Sequence, residues 1–161
     1  MKSFNQYITE VIDKPAKWKF IPSGEANTLK GVFEIGDVEY EVKGGILHGH
    51  AGPNGSDGVS LSVTFSVGSI GGVMKGDRSN KFKLSGLGNA GKVFATIIDF
   101  IKGVLKKTKD KVDWIMFTAK GSSRQKLYNA MAKRFQKMGL VSKVSTTTGS
   151  KGSMIYWLDI K

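Results

Sequence analysis

Three glycines in the stretch Lys83-Leu-Ser-Gly86-Leu-Gly88-Asn-Ala-Gly91 stand where a strand pattern gives way to a helical one. Glycine lets backbone N–H groups approach an anion, and a helix N-terminus adds its dipole to the attraction. A tight strand-to-helix turn uses the same glycines without any ligand, so the residues alone leave both readings open. No Gly-Lys-Ser/Thr follows at P-loop spacing, and no acidic residue is convincingly placed for a Rossmann ribose contact. His48-Gly-His50 brings two imidazoles together without a third ligand at fixed spacing, and we expect no metal site there. No Gly-x-Ser-x-Gly elbow marks a serine nucleophile. Trp114 and Phe117 invite comparison with base-stacking platforms, but their strand is apolar enough to be core.

The other chemical signal is charge. The net charge of +12 is unevenly placed. Lys102, Lys106, Lys107, Lys109, Lys111, Lys120, Arg124, Lys126, Lys133, Arg134, Lys137 and Lys143 are opposed over that span only by Asp110 and Asp113. Most acids lie earlier, at Glu10, Asp13, Glu25, Glu34, Asp37, Glu39, Glu41 and Asp57. A surface of this kind attracts polyanions. The spacing predicts Lys106, Lys107, Lys109, Lys126, Lys133, Arg134 and Lys137 on or near exposed helix faces and their connecting loop. There they would neutralise nucleic-acid phosphates without reading base sequence. Simple solvation of helix faces is the alternative use of the same charges.

The elements that must position these residues follow from period and punctuation. With 161 residues, 40% hydrophobic and 24% charged, the composition is that of one ordinary globular domain. Absence of cysteine removes disulfides and thiolate metal sites from consideration. No apolar run approaches the roughly 20 residues of a membrane span, so no membrane partner is expected. Short strands are predicted at Trp18 to Ile21, Leu29 to Ile35 and Val38 to Val42, the last two around a Gly36-Asp37 hairpin turn. A loop from Gly44 to Gly58 precedes Val59 to Val67, where Val59, Leu61, Val63, Phe65 and Val67 alternate with hydroxyl residues. Gly68 to Asn80 reads as a glycine-rich excursion and Lys81 to Ser85 as a further strand. Ala90 to Lys107 carries a broad helical stripe through Val93, Phe94, Ile97, Ile98, Ile101, Val104 and Leu105. Asp113 to Ala119 reads as a buried strand. Ser122-Ser-Arg-Gln125 resembles a capping box for a helix that buries Leu127, Met131, Phe135 and Met138 and stops at Gly139. Val141 to Ser145 and Met154 to Ile160 form a last hairpin around a loop from Thr146 to Ser153. The expected class is α+β or α/β: one mixed, mostly antiparallel sheet covered by two main helices.

From Val59 to about Leu158 this order resembles the GNAT acetyltransferase fold. Lys83-x-x-Gly86-x-Gly88 approximates that family's first motif, and Leu127-Tyr128 with Phe135 and Gly139 its second. The resemblance implies that Lys83, Gly86 and Gly88 hold the pyrophosphate of acetyl-CoA and that Tyr128 protonates the departing thiolate. Two departures stand out. Lys83 replaces the usual Gln or Arg, and the polar face of Val59 to Val67 offers hydroxyls where a carboxylate often deprotonates the amine.

The first residues, MKSFNQYITE, put Met1, Phe4 and Ile8 on one helical face, with Val11 continuing it. Asp13, Lys14 and Pro15 cut the segment off. It resembles the capsid-targeting sequence of internal head proteins of large contractile-tailed phages. The resemblance implies a removable peptide at 1–10, a domain at 11–161, and cleavage by a prohead protease after Ile8-Thr9-Glu10, leaving Val11 first. It further implies docking on the prohead scaffold, residence in the virion head with packaged DNA, and passage through the host cytoplasm during synthesis and after injection. A helix that packs on its own domain is the alternative. The expected function is an internal head protein that associates with packaged DNA and is injected with it to act in the host. The alternatives are an acetyl-CoA-dependent N-acetyltransferase and a non-catalytic inhibitor of a host defence enzyme.

Overall fold

The structure is a computed structural model that describes residues 14–36, 38–67, 89–119 and 122–160; of residues 67, 89, 90, 122–124 and 127 the backbone alone is described. Its elements are β1 (Trp18–Ile21), β2 (Thr28–Ile35), β3 (Val38–Leu47), β4 (Ser60–Val67), α1 (Asn89–Lys107), β5 (Trp114–Ala119), α2 (Ser122–Lys137), β6 (Val141–Thr148) and β7 (Met154–Ile160). The strands form a seven-stranded mixed sheet in the order β1-β2-β3-β4-β5-β7-β6. β4 and β5 run parallel, with Ser60, Leu61 and Ser62 opposite Trp114, Ile115 and Met116. Parallel neighbours need a crossover, and α1 lies within it. β1/β2, β5/β7 and β6/β7 are antiparallel. The class is therefore α+β, as the strand and helix patterns predict. The predicted strand at Lys81 to Ser85 lies outside the described residues.

The chain packs as two compact units, one ending at Lys43 and joined by Phe65–Lys106, the other made of Gly44–Thr64 and Lys107–Lys161. In the first, β1 sets Trp18 opposite Phe33 and Phe20 opposite Gly31. Alternation along a strand puts these side chains on one face. Helix α1 covers it. Its Phe100 is fully buried, with ring centroids 5.4 Å from Trp18 and 5.8 Å from Phe20. Val93, Phe94, Ile97, Ile98, Ile101 and Val104 are buried as their spacing predicts. Ala95, Thr96 and Phe100 are buried too, so between 91 and 101 only Lys92 and Asp99 are exposed. The polar member of this set is satisfied. The Thr96 hydroxyl donates to the Lys92 carbonyl at 2.7 Å and accepts the Ala16 N–H at 2.8 Å. Asp99 accepts the Trp18 indole N–H at 2.8 Å, tying β1 to the helix a second time.

In the second unit α2 buries Tyr128, Met131, Ala132 and Phe135, an i, i+3, i+4, i+7 set. Met138 is half-buried beyond the helix end, and the side chain of Leu127 lies outside the described residues, as do those of the Ser122–Arg124 cap. Gly139 ends the helix as predicted. Its φ of +73° lets its own N–H reach the Gln136 carbonyl at 3.0 Å while Leu140 N–H reaches Phe135 at 3.2 Å, a Schellman closure. Two strands outrun their predicted ends. β3 continues through Gly44 and Gly45 to Leu47, and β6 continues through Thr146 to Thr148. Ladder pairing with neighbours outweighs glycine punctuation in the first case, and β-branched threonines favour the strand in the second.

The loop between β3 and β4 is folded onto Trp114. A Cβ on Gly52 would come within 2.6 Å of the indole, and one on Gly58 would collide with the same ring. Ser60, fully buried, donates its hydroxyl to the Ala51 carbonyl. Asp113 accepts the Val59 N–H at 2.9 Å. Among the described residues no helix is long and apolar enough to cross a membrane.

Candidate nucleic-acid interface

Helix α2 has the sequence SSRQKLYNAMAKRFQK, without a single carboxylate. Its apolar stripe faces the sheet, and the 3.6-residue period then directs Lys126, Lys133 and Lys137 to the opposite side. All three are exposed. At i, i+7 and i+11 they form one line about 16 Å long at 1.5 Å rise per residue. Among the described residues no carboxylate pairs with them. Two acids of this unit are committed elsewhere: Asp110 meets His48 Nε2 at 3.1 Å, and Asp113 holds the start of β4.

The other predicted basic residues are distributed as follows. Lys106 and Lys107 are exposed at the C-terminal end of α1, where cations also favour the helix dipole. Lys109 and Lys111 are exposed in the segment that leads to β5. Arg134 is half-buried on α2. Lys143, on the strand at the end of the sheet, and Lys151 are exposed.

One feature of this unit is missing from the expectations drawn from the sequence. Asn129, Ala132, Lys133 and Gln136 of α2, with Val144 of β6, line a concavity of about 310 Å³. Asn129, Lys133 and Gln136 recur at i, i+4 and i+7, which sets three hydrogen-bond donors along its rim. A search for polar residues at helical spacing beside the lysine line would have found them. The wall from β6 is Val144, and Thr146 lies on the same strand face. Their partners Leu158 and Tyr156 point toward α2, and the Tyr156 hydroxyl donates to the Gln125 carbonyl at 3.1 Å. Asp159 alternates to the other face.

Lys83, Gly86 and Gly88, and Ile8, Glu10 and Val11, lie outside the described residues. Tyr128 is 6% exposed, its ring 5.5 Å from Phe117 and 5.9 Å from Tyr156 in an aromatic cluster. Burial raises the pKa of Tyr156 above the ordinary phenol value. His50 Nδ1 lies 3.1 Å from the Gly55 carbonyl, and His48 faces Asp110. Among the described residues no three of His, Asp and Glu gather as a metal site would require. Phe117 is core, and Trp114 is covered by the glycine loop, which leaves neither as a stacking platform. The first unit has its own concavity of about 510 Å³ beside β1. Lys17 and Lys19 face Glu34 and Glu39 there, so it favours neither sign of charge.

No protein-family model, no curated protein sequence and no solved structure matches this chain.

Proposed function

We propose that this chain is an internal head protein of a contractile-tailed phage that associates with packaged DNA through the basic side of its second unit. The observation that carries the DNA part is the line Lys126–Lys133–Lys137 on a helix with no carboxylate, exposed and unpaired among the described residues. Charges held in that way cost little to present to phosphates and release counterions when they meet them. Contacts of this kind position a protein on nucleic acid and carry no base information. The head assignment rests on the resemblance of MKSFNQYITE to capsid-targeting peptides. The prohead scaffold and protease are the partners it brings, and a host target after injection is part of the same proposal.

Fluorescence anisotropy with two unrelated duplexes tests the DNA reading. Affinity should fall linearly on a log–log plot against salt, with a slope of about −0.9 per neutralised phosphate. Changing Lys126, Lys133 and Lys137 together to Gln should flatten the slope by up to about 3 units. Equal affinity for the parent and triple variant, or strong preference for one duplex, would overturn it.

A second reading is acyl transfer in a GNAT-like fold. It is favoured by the order β4–α1–β5–α2–β6–β7 with β4 and β5 adjacent and parallel. Acetyl-CoA would then raise the melting temperature by mass action, and Gly86→Glu would abolish the rise. The absence of a shift at millimolar ligand would leave the parallel crossover without this cofactor.

A further inference from the structure

We propose that the groove between α2 and β6 seats the sugar-phosphate backbone of a single nucleic-acid strand. This rests on the DNA reading above and assigns to it a site. The groove has about 310 Å³, at the lower end of small-ligand pockets, which suits one nucleotide unit rather than a base pair. Its walls divide by chemistry. Lys133 supplies the charge for a phosphate, and the side-chain amides of Asn129 and Gln136 supply N–H donors one turn to either side. Ala132 and Val144 supply an apolar floor against which deoxyribose carbons lose water.

Three further observations select an anion. None of the lining residues is acidic. Asp159, the acid nearest in sequence on β7, belongs to the opposite face of that strand. Lys126 and Lys137 extend the positive charge along the helix on both sides of Lys133, so a strand leaving the groove meets a cation in either direction.

The test separates amide donors from charge. Asn129→Ala with Gln136→Ala removes no charge and alters exposed positions. The double variant should bind a labelled single strand about tenfold more weakly at low salt, since hydrogen bonds to a charged acceptor are strong, and its salt slope should be unchanged. Val144→Glu, which puts a carboxylate on the groove floor, should weaken binding further. In NMR spectra of the full chain, the dinucleotide dTpdT should shift the Asn129, Lys133 and Gln136 amide signals before those of Lys109 and Lys111. Parent-like binding by the double variant and by Val144→Glu would overturn the groove. The DNA reading would survive that result if the triple lysine variant still flattened the slope. Absence of any DNA binding at about 50 mM salt would overturn both. Displacement of the strand by poly-glutamate, with no shifts from dTpdT, would assign the groove to acidic peptides and overturn the proposal.

Discussion

Trp114 owes its place to two hydrogen atoms. Gly52 and Gly58 pass so close to the indole that a methyl group on either would enter its van der Waals envelope. Gly52→Ala or Gly58→Ala should each cost about 1–3 kcal/mol by overpacking, read as a lower urea midpoint with an unchanged slope. Gly55→Ala should not share this mechanism, because a Cβ there meets nothing within 4 Å. Tyr40 offers a pH test in the first unit. It is buried, stacked on Phe33 at a centroid distance of 5.2 Å, and burial raises its pKa above the ordinary phenol value of 10.0. The unfolded chain therefore releases this proton first. Stability from Tyr40 is complete below about pH 10 and is lost as pH rises through the folded-state value. Tyr40→Phe should make urea midpoints fall less steeply above pH 10. An identical alkaline decline in parent and variant would mean that burial of this hydroxyl does not govern it.

Among the elements, α2 is the one on which fold and proposed function meet. Its inner stripe is tight: Phe135 is fully buried and Met131 is 1% exposed. Phe135→Ala should cost about 3–5 kcal/mol through lost transfer energy and the cavity left behind. The helix end depends on the left-handed turn at Gly139, so Gly139→Ala should cost about 1 kcal/mol. The outer face is independent of both. Replacing Lys126, Lys133 and Lys137 by Gln should leave the melting temperature within a few degrees, since exposed substitutions move stability by about 0.5 kcal/mol or less. A triple variant that lost both DNA affinity and more than about 2 kcal/mol would show that these lysines serve the fold instead.

For the whole molecule, the proposal of a head protein makes a claim about processing that the domain's interior does not share. Co-expression with the cognate prohead protease should yield a chain that starts at Val11, detected by intact mass. Glu10→Ala should block the cut. Equal cutting of both forms, or no cutting of the parent, would remove the capsid assignment and leave the DNA proposal to stand alone.

Much of this protein was legible from its sequence by itself. The period of two in SLSVTFSV, the helical stripes and Gly139 located β4, both helices and the end of α2. A side chain's face follows from its position in a repeating backbone, without knowledge of any partner. The exposure of Lys126, Lys133 and Lys137 was legible for the same reason, since the apolar positions of α2 leave them only the solvent side. Tertiary structure decided the rest. Phe100, Thr96 and Ala95 fall outside a single stripe, and they are buried because α1 is wrapped on more than one side. β3 extends past its sequence signal because strand neighbours supply hydrogen bonds that no local propensity encodes. The groove of Asn129, Lys133, Gln136 and Val144 exists only because β6 returns beside α2. Its donors and its floor come from elements separated by a turn, and no spacing within either one records their meeting.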